Sequence, residues 1–209
     1  MPRLYTERAS EGYNGSIRVR EVGLGMNVTI LDGNPDVERV PFSFMVGGVA
    51  RALVGAGHEV ETVVLRERVV HRCIGCFSCW LRTPGLCIFD DDHPAILRSL
   101  LRSDAVVFAS PLVAGFYTAL LKTTIDRVIP LVLPYIEFSA GECRHPLRYG
   151  RRMPAMALLF DPEEGTEQED VAIVSRALER FARNAHSRLL FARPLSDDPQ
   201  EVRHAVEHL

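Results

Sequence analysis

Four of the chain's five cysteines fall between positions 73 and 87, as Cys73, Cys76, Cys79 and Cys87, in the pattern C-x2-C-x2-C-x7-C. Two-residue spacings let three thiols turn about one centre, with the fourth supplied from further along. That compact array is nearer to iron–sulfur ligation than to zinc, which commonly takes two separated cysteine pairs. The plainer alternative is that these are small buried hydrophobes, or lone thiols beside another cofactor. Asp90-Asp91-Asp92 follows directly and reads as a helix-capping turn rather than a divalent-metal site, because no further carboxylates cluster near it in the sequence.

The chain around this array is ordinary in composition. It has 209 residues, 47% apolar and 24% charged, which suits one domain with a full core. A net charge of −3 gives no reason to expect nucleic acid or an anionic membrane as partner. No run approaches the roughly 20 apolar residues that span a bilayer, and the N-terminus lacks the apolar core of a signal peptide. The expected location is therefore the cytoplasm, where thiols stay reduced and a cysteine cluster points to metal or catalysis rather than disulfides.

Five strand-and-helix alternations position the array. Residues 1–25 read as a flexible extension, and a domain is expected from Met26 to Leu209. Val28 to Leu31 is a short β-branched strand closed by Asp32-Gly33-Asn34-Pro35, and Phe42, Met45, Val46, Val49 and Leu53 mark a helix face. Val60 to Leu65 is a second strand leading into the cysteine loop, and Ile96, Leu97, Leu100 and Leu101 mark a second helix. Ala105 to Ala109 is an apolar strand that Ser110-Pro111 is expected to close. A helix with Leu120, Leu121, Ile125 and Val128 follows, and Pro130 should end or kink it. Residues 134–152 read as an irregular insertion. Ala155 to Phe160 is the fourth strand, Val171 to Ala185 the clearest helical stripe, and Leu189 to Phe191 the fifth strand. The last helix opens at Asp198-Pro199-Gln200-Glu201.

Such alternation predicts an α/β fold with a parallel sheet covered on both faces. Ligands of such sheets sit beyond the carboxyl ends of the strands, so the turns after strands one, three and four should meet there. The cysteine loop leaves strand two at the same edge.

Several motifs in order then carry a resemblance: Cys76-Phe77-Ser78-Cys79-Trp80, Thr83-Pro84-Gly85-Leu86-Cys87, Asp91-Asp92, Ala109-Ser110-Pro111 with Gly115, and Leu121-Lys122-Thr123-Thr124-Ile125-Asp126-Arg127. Together they resemble the flavodoxin-like NAD(P)H-dependent FMN reductases, and more narrowly the branch with the iron–sulfur flavoproteins. The resemblance implies a flavodoxin-like three-layer sandwich with a five-stranded parallel sheet in the order 2-1-3-4-5. It implies FMN at the strand carboxyl ends, with Gly33, Asn34, Pro35, Arg39 and Ser43 towards its phosphate. Ser110, Pro111, Leu112, Val113, Ala114, Gly115 and Phe116 would lie along the ring, with Asp161, Gly165 and Thr166 on its other side. Two positions depart from the family's pattern. Asp36 and Glu38 stand in a loop that is usually rich in serine, threonine and arginine, and Val113 stands where an aromatic residue is common.

The activity implied is hydride transfer from NAD(P)H through FMN to a small acceptor such as a quinone or flavin. Two alternatives remain. One is an iron–sulfur flavoprotein relaying electrons between FMN and a cluster, of the 4Fe–4S type, on the four cysteines. The other is a non-enzymatic metal-binding or interaction domain on the same scaffold. In Glu142-Cys143-Arg144-His145, Arg144 or His145 could bind substrate or a nicotinamide phosphate if the insertion folds over the flavin; otherwise the tetrapeptide is a surface loop. The apolar stretch from Ile129 to Ile136 predicts a homodimer or higher oligomer.

Overall fold

The computed structural model of the chain describes residues 25–139, 141–195 and 198–207, so the expected N-terminal extension lies outside the described residues apart from Gly25. In chain order the strands are β1 (Asn27–Asp32), β2 (Glu59–Val64), β3 (Ala105–Val113), β4 (Phe116–Tyr117), β5 (Glu137–Ser139), β6 (Glu142–Arg144), β7 (Ala155–Asp161) and β8 (Leu189–Pro194). The helices are α1 (Val40–Gly55), α2 (Ser78–Leu81), α3 (His93–Arg102), α4 (Ala119–Asp126), α5 (Gln168–Asn184) and α6 (Pro199–Glu207). The main sheet runs β2-β1-β3-β7-β8, all parallel, which is the expected 2-1-3-4-5 order.

Side-chain alternation along β3 divides the core in two. Val106 and Phe108 join α3, α4 and α5 on one face, while Ala105, Val107 and Ala109 join α1 and α6 on the other. The stripe read on α1 is the buried one: Phe42, Val46, Val49 and Leu53 are almost wholly covered. Burying each such side chain stabilises the fold by about 2 kcal/mol.

Three local expectations need correction. First, β3 does not stop at Ser110-Pro111. Pro111 still pairs with Asp161 of β7, and Leu112 and Val113 turn to a new antiparallel partner, β4. A proline removes one donor but keeps an extended φ and a carbonyl, so a strand can pass through it where a second partner takes over. Second, α4 ends at Asp126, before Val128, and Pro130 lies inside a separate 3-10 turn, Ile129–Leu131. Third, the insertion is not irregular throughout. It holds the β5–β6 hairpin and a bridge between Val132 and Leu147.

Candidate functional site

The three turns expected to meet at the strand carboxyl ends do so, and direct bonds join them. Gly33 N donates to Ala109 O (2.7 Å), and Thr118 Oγ1 donates to Gly33 O (2.6 Å) while capping α4 by accepting from Leu121 N. A Cβ at Gly33 would lie 2.8 Å from Leu121 Cβ, so only glycine lets β1 leave the sheet this close to α4. Arg39 is paired with Asp161, tying the loop after β1 to the end of β7. Gly115 N donates to Glu163 Oε1 (3.0 Å), tying the tip of the β3–β4 hairpin to the turn after β7.

The hairpin tip is strained. Ala114 and Gly115 have φ of 51° and 71°, the two left-handed positions of a tight hairpin turn, and alanine tolerates that region poorly. Thr166 Oγ1 closes the turn after β7 by donating to Glu163 O and accepting from Glu163 N, with Gly165 between them. Of the ring-side candidates, Leu112 is packed in the core, and the Ser110 hydroxyl is fully buried and donates to Pro111 O. Either can meet a ligand through its main chain alone. Val113 is exposed and Phe116 half-buried.

The loop after β1 is closed on itself. Asn34 is fully buried; its N donates to Asp32 Oδ1 (2.9 Å) and its Nδ2 to Asp36 O (2.8 Å), and its Oδ1 accepts from Asp36 N (3.1 Å). Asp36 Oδ1 then accepts from Glu38 N (2.8 Å). Burial pushes the Asp32 carboxyl up, against the pull of the Asn34 amide and Arg66. Pro35 is exposed, and Ser43 is half-buried on the first turn of α1.

The cysteine loop is built differently. Gly75 and Phe77 both take positive φ, 66° and 53°, and α2 follows at once. The chain thereby winds so that Cys73, Cys76, Cys79 and Cys87 all line one small apolar cavity with Phe77, Phe89, Arg127 and Pro130. All five cysteines are free. Burial pushes the Cys79 thiol up, and the neighbouring Cys87, Cys73 and Cys76 act in the same direction; bonds from Ser78 pull the Cys76 thiol down. Among the described residues, no group of three or more His, Cys, Asp or Glu side chains is arranged to hold a metal ion.

What holds this loop lies outside it. Arg127 is 1% exposed and paired through both terminal nitrogens with Asp91, while its Nη1 also donates to His71 O (3.0 Å). Burial alone would lower the basicity of Arg127, but the Asp91 carboxylate and the Cys87 sulfur hold it above its ordinary value. Burial would likewise raise Asp91, but the guanidinium and the amides of His71 and His93 hold its carboxyl well below the usual range. Trp80 Nε1 donates to Ile129 O and Val132 O, and Arg148 Nε donates to Pro130 O.

The acidic run thus does more than cap. Asp92, the residue before α3, makes no side-chain cap bond and accepts instead from Val69 N, while Asp91 anchors a buried pair. Thr118 and Arg127 are the residues sequence reasoning did not assign to the site; a threonine directly before an apolar helical stripe was a usable capping signal for the first. Arg144 lines a cavity of about 870 Å³ with Met26, Asp104 and Arg151, at the edge where the strands begin, so it lies opposite the three turns. His145 packs its ring against Trp80 instead (5.1 Å). Lys122 and Asp126 form an exposed i,i+4 pair, as expected.

The model of the NADPH-dependent FMN reductase family matches residues 26–140, more than half of the chain. The chain belongs to that family. Among its relatives is an iron–sulfur flavoprotein of Archaeoglobus fulgidus, 36% identical over 88 residues, which is 42% of this chain and 39% of the relative. Another, from Methanocaldococcus jannaschii, is 31% identical over 51% of this chain and 53% of the relative. The match thus spans about half or less of the length of these relatives. Among solved structures, an NAD(P)H:quinone oxidoreductase from Methanothermobacter marburgensis superposes with a TM-score of 0.58 at 18% identity, covering 88% of this chain and 96% of the other. RosB with a bound flavin-phosphate intermediate gives 0.61 at 10% identity, over 88% of this chain and 77% of the other. At such identities these two share the fold with this reductase-family chain. Among its described residues no helix is long and apolar enough to cross a membrane.

Proposed function

We propose that this chain is a flavin-dependent oxidoreductase that takes electrons from NAD(P)H and passes them to a small acceptor such as a quinone or a free flavin. In this reading Cys73, Cys76, Cys79 and Cys87 hold an iron–sulfur cluster of the 4Fe–4S type. One observation carries it: four free thiols from a fifteen-residue stretch line a single cavity, with the buried Arg127 beside Cys87. A group of several irons takes one thiol per iron, and four thiols on one loop match that ligand count. A cluster supplies one-electron transfer there, and a flavin ring supplies the conversion between hydride and single electrons.

The chain's own residues do the positioning. Gly75 and Phe77 turn the loop so that the four cysteines line one cavity, with Cys79 buried and Cys73 and Cys76 exposed, and Arg127 keeps a fixed positive charge against an anionic group. The ring end of the flavin site fits a flavin, since the main chain from Pro111 to Val113 is extended and the Ala114-Gly115 turn that follows it is bonded to the turn after β7. The tail end does not fit a phosphate as it stands, because the loop after β1 donates most of its amides within the protein.

The absorbance spectrum of anaerobically purified protein tests the reading. Two visible flavin bands over a broad brown shoulder are expected. Flavin bands alone would leave the reductase without a cluster, and neither feature would favour an interaction domain on this scaffold.

The reading includes a homodimer. Leu131 and Pro130 fold back into their own subunit, but Tyr135, Ile136 and Phe138 stand 68%, 69% and 77% exposed at the adjoining β5 hairpin. Exposed apolar groups so close together support an interface, and a two-fold pairing with a second copy is the commonest closure. Light scattering is expected to give a dimer mass that Ile136→Asp reduces to monomer; a monomer at every concentration of the wild type would overturn this.

A further inference from the structure

We infer that the loop after β1 has occupied its own anion site, so that this chain holds a flavin with an uncharged ribityl tail, of the riboflavin type, at least as well as one ending in phosphate. The inference rests on the flavin reading above and concerns only the tail of the ligand.

A loop that grips a phosphate does so with successive free N–H groups, helped by a helix N-terminus and a cation. Between Gly33 and Ser43, Pro35 and Pro41 have no N–H, which leaves nine. Seven of these already donate within the protein. Gly33 donates to Ala109 O and Asn34 to Asp32 Oδ1. Asp36 donates to Asn34 Oδ1 and Glu38 to Asp36 Oδ1. Arg39, Val40 and Ser43 donate to Asp36 O, Glu38 O and Arg39 O. The side-chain oxygens of Asn34 and Asp36 take the amides that phosphate oxygens would otherwise take.

The remaining electrostatics point the same way. Arg39, the cation at the head of α1, is paired with Asp161. Arg66, the next guanidinium at this edge, lies 3.5 Å from the buried Asp32. Asp36 and Glu38 lie in the loop after β1 and Asp161 is tied to it through Arg39, so the loop carries three carboxylates with one guanidinium, and an incoming phosphate would bring close to two more negative charges. The helix offers little to offset this, since Val40 is donated, Pro41 has no N–H, and Phe42 is left with the only free amide of its opening three residues. An uncharged tail needs none of these groups, and the joined main chain around Pro111 and Gly115 is unaffected by what the tail carries.

Fluorescence titration of the full chain with riboflavin and with FMN, at low and at high salt, decides the matter. Riboflavin is expected to bind as tightly as FMN or more tightly, with any gap narrowing in high salt as the repulsion is screened. The double variant Asp36→Asn, Glu38→Gln keeps an oxygen able to cap the Glu38 amide. It is expected to tighten FMN by about tenfold while riboflavin changes by less than about twofold. Wild-type protein that binds FMN about threefold or more tightly than riboflavin would overturn the inference and leave the flavin reading standing. Saturable quenching by neither flavin would instead overturn the flavin reading, and the inference with it.

Discussion

Two loops leave the same edge of the sheet, one after β1 and one after β2, and they are finished in opposite ways. The Gly33–Arg39 loop satisfies its polar groups internally, through Asn34 and Asp36. The Cys73–Cys87 loop leaves four thiols free on one cavity while Arg127, Asp91 and Arg148 fix its frame from outside and its own Trp80 bonds out to Ile129 O and Val132 O. Both stretches occupy positions where ligands of such sheets bind. What differs is which groups take the loop's donors, so position alone does not identify a binding loop. No hydrogen bond, ion pair or ring contact among the described residues joins the cysteine loop to the strip from Ser110 to Tyr117.

If the cysteine loop is held from outside, cutting its anchor should cost most. Arg127→Met leaves Asp91 buried without its cation and is expected to destabilise the fold by about 3–5 kcal/mol in chemical denaturation. A loss under about 1 kcal/mol would mean that the frame is held elsewhere.

Acid should weaken the same region next. His93 is fully buried, its Nε2 bonds to Thr124 O, and its Nδ1 has no partner, so burial pulls its pKa down to about 4. A histidine whose folded pKa is depressed contributes fully above its unfolded value and loses that contribution as pH falls. The expected loss is up to about 3 kcal/mol between about pH 6.5 and 4, and the depressed Asp91 carboxyl extends it below pH 4. His93→Gln should flatten the decline above pH 4, and an unchanged slope would assign it to other groups.

The self-closed loop should be cheaper to open. Asn34→Ala removes the bridge to Asp36 and is expected to cost about 1–3 kcal/mol by thermal melting, with no effect on iron content. Loss of iron in that variant would show that the two loops are coupled after all. Lys122→Ala, which removes a pair exposed at 45% on both sides, should change stability by less than about 0.5 kcal/mol.

The sequence made the sheet legible because its strands are short apolar runs and its helices carry stripes at three and four. The buried face of α1 was readable residue by residue at Phe42, Val46, Val49 and Leu53. The β3–β4 hairpin was not, because Ser110-Pro111 is chemically a terminator and only the presence of β7 and β4 carries the strand through it. The cysteine array could be read as one ligand set since its members lie within one loop. Its anchor could not, because Asp91 and Arg127 are 36 residues apart, and neither could the tie between the loop after β1 and the end of β7, because Arg39 and Asp161 are 122 apart. Asp36 and Glu38 were legible as a departure from the family, but the capture of the loop's amides by Asn34 and Asp36 was not, because it depends on how the loop folds back on itself.

The most direct test of the central claim, that the four thiols of the cysteine loop hold a cluster, is iron and acid-labile sulfide measured per chain in anaerobically purified protein. The account predicts about four of each in the wild type and in Cys143→Ser, whose thiol lies outside the cavity, and a clear loss in Cys76→Ser and in Cys79→Ser. Less than about one iron per chain in the wild type, or equal iron in all four proteins, would contradict it.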